Sequence, residues 1–172
     1  MANTFFENGN VNMKMRLLAL LILAFTAASS ATAGDELSAG QTLYLPVYSK
    51  IWHGDRIEGK YPVDRLVSAL VSVRNTSLKT TIRIISARYY NTDGKLLKEY
   101  LDKPAVVNAM GTLELFVERK ESDGGSGANF IIQWDSAVPT NPPVVEAIHA
   151  DIRTGQQAFV FITTAHPVQA DK

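Results

Sequence analysis

The chain has 172 residues, 17 basic and 17 acidic side chains and no cysteine. A balance of that kind without a basic run argues against nucleic acid or an anionic membrane surface as partner. The absence of cysteine excludes disulfide staples, thiol nucleophiles and thiolate metal sites, so stability has to come from packing.

The first segment is an address and not part of a fold. Lys14 and Arg16 precede the apolar run Leu17–Ala28, and small residues follow up to Ala31-x-Ala33. That order predicts a secretory signal helix over residues 1–33, cleaved between Ala33 and Gly34. The polar run before Lys14 is foreign to such a signal, so Met13 or Met15 is the alternative start. The apolar run is too short for a membrane span of roughly 18 or more residues, and no cysteine follows it to carry a lipid. The expected location is periplasmic, with no stable membrane anchor after cleavage. The alternatives are extracellular, or inner membrane if the signal stays on. Removing residues 1–33 leaves 15 basic and 16 acidic residues in one domain, 34–172, a length able to bury a core.

Beyond Gly40 the hydrophobic period is two. Thr42–Tyr48 (TLYLPVY) alternates, and Pro46 marks it as an edge strand or a bulge. Arg65–Asn75 sets Val67, Ala69, Val71 and Val73 on one face, against Ser68, Ser72 and Arg74 on the other. Thr81–Tyr90 is a further strand, turned through Asp93-Gly94 into a returning strand, KLLKEYL. Pro104 breaks the chain, NAMG turns it, and Thr112–Glu118 alternates again. The glycine-rich Ser122–Phe130 leads into the strand Asn129–Trp134, then a proline-rich link, AVPTNPP. Val144–Arg153, the turn TGQ and Gln157–Thr164 close the chain. About eight short strands with turn signals between them predict an all-β, antiparallel β-sandwich, immunoglobulin-like in the broad sense.

Several blocks together carry a resemblance: Leu43–Asp55, Val73–Ser77, Arg88–Leu101, Ser122–Trp134 and Asn141–Thr163. In this order they resemble the family of small exported bacterial proteins known as domain of unknown function 3124. The resemblance spans nearly all of 34–172 and implies no activity. In the family pattern a histidine often stands where this chain has Lys50, which weakens any role for a histidine pair near Tyr48–Asp55.

Four places can carry chemistry. The glycine run Gly124–Gly127 can supply converging N–H groups for an anion, but a strand and not a helix follows it. It lacks a lysine, and Glu121 and Asp123 oppose an anion, so a shaped connection is the preferred reading. Ser126 and Asn129 are expected to fix that loop through local hydrogen bonds, leaving it a candidate recognition surface. Tyr48, Trp52, His53 and Asp55 form the second candidate. His53 and Asp55 are weak metal candidates, since a zinc site wants three or four ligands. Trp52 packed on the sandwich and Asp55 capping a turn at Gly54 explain them as well.

Third, His149 and Asp151 share a strand face, but with no cysteine and no G-x-S-x-G the plainer reading is a solvated face opposite buried Ile148, Ala150 and Ile152. Fourth, Glu99, Asp102, Glu114 and Glu118 fall on different strands, so no carboxylate pair for glycoside cleavage is assembled. Asn75-Thr76-Ser77 matches a glycosylation sequon and is read as a turn. The expected function is thus a non-enzymatic binding or interaction module of the cell envelope, without a cofactor. It would contact an envelope protein or a small ligand through polar surface and exposed tyrosines (Tyr48, Tyr89, Tyr90, Tyr100). The alternatives are a small metal-dependent protein or hydrolase centred on His53 and Asp55, or a subunit that assembles by strand addition to Thr42–Tyr48. In that last case Val47→Lys would abolish association and leave the domain folded.

Overall fold

The computed structural model describes residues 36–153 and 157–169. These belong to one compact unit, Asp35–Lys172. The expected signal helix, its Ala33–Gly34 cleavage site and the TGQ turn at 154–156 lie outside the described residues. No helix among the described residues is long and apolar enough to cross a membrane.

Twelve strands follow one another: β1 (Ser38–Pro46), β2 (Lys50–Trp52), β3 (Asp64–Leu66), β4 (Ser68–Arg74), β5 (Ile82–Tyr90), β6 (Leu96–Glu99), β7 (Ala105–Val107), β8 (Thr112–Val117), β9 (Asn129–Thr140), β10 (Val144–Asp151), β11 (Phe159–Thr164) and β12 (His166–Val168). A six-stranded antiparallel sheet runs β12-β1-β9-β5-β6, with β7 also paired to β5. A four-stranded antiparallel sheet runs β11-β10-β4-β8, and β2 and β3 form a separate two-stranded ribbon. The two larger sheets enclose one core between them, which makes the fold a β-sandwich.

The inner faces follow the period of two. Leu43, Leu45 and Val47 alternate along and beyond β1, Ala69, Val71 and Val73 along β4, and Phe130, Ile132 and Trp134 along β9, all buried. On β5 the period breaks to good effect. The register shifts between Ile84 and Ser86, a bulge that adds one residue and resets the parity. Ile82 and Ile84 before it, and Ala87 and Tyr89 after it, therefore all face inward.

Several expectations need correction. The eight strands are twelve, because β2, β3, β7 and β12 are only three residues each. The first part of the proline-rich link is strand: β9 continues through Pro139 to Thr140, and only residues 141–143 connect it to β10. Thr42–Tyr48 is not an edge, since β12 pairs with Thr42–Tyr44 and β9 with the opposite side. Pro46 is tolerated because it ends the strand, where its carbonyl accepts a 2.6 Å hydrogen bond from Thr163 Oγ1. Val47 is buried, so a lysine there would unfold the domain and test nothing about association. Tyr89 is not a surface aromatic: it is among the largest fully buried side chains, against Phe130 at 5.0 Å and Tyr100 at 6.2 Å.

The faces of β10 are inverted relative to the expectation. His149 and Asp151 are buried with Val145 and Ala147, while Ile148 and Ala150 lie on the outer face and Ile152 is exposed. Across that outer face Ile162, Ile148, Leu70 and Phe116 stand in one row. The sequon is structural. Asn75 is buried, and its amide donates to the carbonyls of Thr80, Val107 and Asn108 while its oxygen accepts from Ser77 N. One side chain thus ties together the backbones that leave β4 and β7.

Candidate functional site

The β2–β3 ribbon carries the most exposed aromatic surface. Lys50, Ile51 and Trp52 pair with Leu66, Arg65 and Asp64, and the connection between them runs through two glycines at positive φ, Gly54 and Gly59. The Trp52 side chain is exposed. Its ring lies 5.1 Å from that of Tyr61, and the two are 39 % and 63 % exposed. Each ring carries a cation: Lys50 Nζ is 5.2 Å from the Trp52 ring and the Arg56 guanidinium 4.4 Å from that of Tyr61. Cation–π contacts of this kind order surface side chains that would otherwise sample many rotamers. Ile57 and Val63 add exposed apolar surface beside the rings.

His53, Gly54 and Asp55 line a shallow depression with Tyr61, Pro62 and Val63. Among the described residues no three histidines or acids gather to hold a metal, so His53, Asp55 and His149 do not form one site. Tyr48, expected beside them, faces elsewhere. Its ring packs edge-on against His149 at 5.8 Å and Phe161 at 5.5 Å.

The glycine loop is anchored, though not by the residues expected. The chain forms a short 3-10 turn at Gly125–Gly127. Glu121 Oε1 accepts from the N–H groups of Asp123 and Gly124 at 2.7 and 3.0 Å, and its Oε2 accepts the Tyr89 hydroxyl at 2.7 Å. Gly125 N donates to Ser49 Oγ and Gly127 N to Thr92 Oγ1. The N–H groups of Asp123, Gly124, Gly125 and Gly127 are therefore taken by the chain's own side chains. Glu121, read from the sequence as repelling an anion, is itself the anion. Neither the Ser126 nor the Asn129 side chain makes a hydrogen bond among the described residues; both are half-buried. The loop and the Tyr48–Asp55 segment do meet, through Ser49 N–H on the Gly125 carbonyl at 3.1 Å.

Gly124 is required where it stands, because a Cβ there would overlap the Tyr89 hydroxyl. Gly124→Ala is expected to cost about 1–3 kcal/mol, as overpacking does in a core. Urea denaturation should show the loss shrinking when Tyr89→Phe is added. Equal losses in both backgrounds would mean that the loop and not the tyrosine gives way.

Two of the buried polar groups sit on β10. His149 accepts a hydrogen bond from Tyr48 N–H on Nε2 at 3.1 Å and stacks on Phe161 at 4.4 Å. Burial pushes its pKa down to about 4, against a smaller upward pull from the carbonyls of Ala147 and Phe161, so the ring is neutral with its proton on Nδ1. That Nδ1 is buried, and the two carbonyls attract its proton without reaching hydrogen-bond geometry. Asp151 is held below the usual carboxylate range by hydrogen bonds from Arg153 and Arg65. The sequence marks His149 and Asp151 as a pair on one face but carries no sign of the arginines, which come from β3, from beyond β8 and from the end of β10.

Comparison with known proteins gives three findings. A family described as "Protein of unknown function (DUF3124)" matches residues 40–168. No curated protein matches. A solved structure titled "Crystal Structure of Thermotoga maritima 1070" aligns at 16 % identity with a TM-score of 0.41, covering 73 % of this chain and 92 % of that one.

Proposed function

This chain belongs to the DUF3124 family, and from that premise we propose that it is an exported, periplasmic, non-enzymatic recognition module of the cell envelope whose contact surface is the β2–β3 ribbon. The observation that carries the reading is the ordered pair of exposed rings, Trp52 and Tyr61, each under a cation. These residues contribute little to the core, yet Trp, Tyr and Arg are the types that dominate binding energy at protein interfaces. The rings stand open on a ribbon and not inside the enclosed cavity that small molecules favour, which supports an envelope protein as partner. Export is supported by the charged, apolar and small-residue segments of 1–33 in their signal-peptide order.

The test is photo-crosslinking in cells that make the full chain, with the reactive residue at Tyr61 or at exposed Lys95 on the β5–β6 turn. Discrete adducts are expected at 61 and not at 95. Trp52→Ala should lower their yield at least about tenfold, as loss of an interface anchor does. Equal labelling at both positions, or none at 61, would remove the ribbon as the contact surface. A mature mass that does not begin at Gly34, in a cytoplasmic fraction, would remove the periplasmic assignment.

A further inference from the structure

Asp151 ends β10 with its side chain fully buried, and three guanidiniums converge on it. Arg65 Nε donates to Oδ2 at 2.6 Å, Arg153 Nε donates to Oδ1 at 2.9 Å, and Arg119 Nη1 lies 3.9 Å from Oδ1. One carboxylate among three permanent cations leaves an excess of two positive charges. Nearby acids do not cancel it: Glu118 is paired with Lys120 and Asp64 with Lys50.

The manner of bonding matters as much as the charge. Arg65 and Arg153 both spend Nε on Asp151, which fixes each guanidinium plane from its inner side. Of the terminal nitrogens, Arg65 Nη2 donates to the Gln157 carbonyl at 3.1 Å. Those of Arg153 and Arg119 make no hydrogen bond among the described residues, and their side chains are 41 % and 49 % exposed. A guanidinium fork matches two oxygens of a carboxylate or phosphate. Phe159 lies 5.8 Å from the Arg65 guanidinium and screens it on one side.

We propose that Arg65, Arg119 and Arg153 form a binding site for a phosphate-class oxyanion, free phosphate or a phosphate monoester, organised by Asp151 from beneath. A doubly charged oxyanion neutralises the excess, and its several oxygens suit forks arriving from three elements. Arg65 lies on β3 of the ribbon, but the site uses neither Trp52 nor Tyr61, so phosphate uptake and crosslinking at residue 61 are read separately and can fail separately.

The test is calorimetric titration of the folded chain at low ionic strength with inorganic phosphate and with glycerol 3-phosphate. Saturable uptake of one equivalent is expected for at least one probe, and the tighter probe identifies the source as free or esterified phosphate. Arg119→Gln should weaken uptake about tenfold, the scale of a charge-assisted hydrogen bond. Arg119→Lys should fall between, since it keeps the charge and loses the fork. Arg74→Gln, whose native partner is Glu146 on the β4–β10 face, should leave uptake unchanged. Arg153→Gln provides a second variant should Arg119→Gln disturb folding. Absence of saturable uptake of both probes overturns the proposal. So does equal weakening by Arg74→Gln, which would show general attraction to positive charge.

Discussion

Replacing Asp151 with alanine is expected to cost about 3–5 kcal/mol of stability, the range for removing one partner of a buried ion pair. The loss comes less from the missing attraction than from what remains. Arg65, Arg119 and Arg153 share this one carboxylate as their common ionic partner. Without it, like charges face one another and two Nε–H donors lose their acceptor. Urea denaturation reads the change as a lower midpoint at an unchanged m-value. Adding Arg119→Gln to Asp151→Ala should recover part of the loss, a coupling expected of residues in one network. A loss under about 1 kcal/mol would show that the guanidiniums swing out to water, as at exposed pairs.

The second large effect is a loss of stability on acidification, and it belongs to His149. Its folded pKa is pushed down to about 4 from 6.5, so below pH 6.5 the unfolded chain binds a proton that the folded chain refuses. Stability is therefore complete above pH 6.5, declines as pH falls, and levels off below about 4. The displacement of two to three units corresponds to about 3 kcal/mol. Asp151, with its pKa depressed, acts in a separate window: its contribution is present above the ordinary carboxylate range and is lost as pH falls below about 4. Urea midpoints at pH 7, 5.5 and 4.5 check the claim. His149→Gln, which can still accept from Tyr48 N–H, should flatten the decline. Parallel declines in the two proteins would place its source elsewhere.

The sequence makes the sandwich legible because most strands obey a strict period of two with a single apolar face, as Val67–Val73 does. β10 misleads for a physical reason. It carries apolar residues on both faces: Val145 and Ala147 point inward, while Val144, Ile148 and Ala150 point outward. The polar His149 and Asp151 then tip the reading, although each is buried. The inward face was chosen by partners far along the chain, Tyr48 for His149 and Arg65 for Asp151, which no local pattern contains. The glycine loop was legible as a connection, and Gly125 adopts the positive φ that glycine allows. Its anchors, Glu121, Thr92 and Ser49, come from three segments, so Ser126 and Asn129 look locally plausible and do not serve. Trp52, His53 and Asp55 were legible as an unusual cluster. That Tyr61 would stack on Trp52 depended on a ribbon whose strands are too short to show periodicity.

The pairing of β1 sets the order in which this chain can close. Residue 43 pairs with residue 132 on one side and residue 167 on the other. The six-stranded sheet therefore cannot be completed before almost the last described residues are available. Non-local pairing of this kind slows folding, because loop-closure entropy is spent before the contacts form. In a growing chain β1 has no sheet neighbour until β9 is made, and its second neighbour, β12, comes later still. Commitment of β1 to the sheet thus waits for segments made long after it.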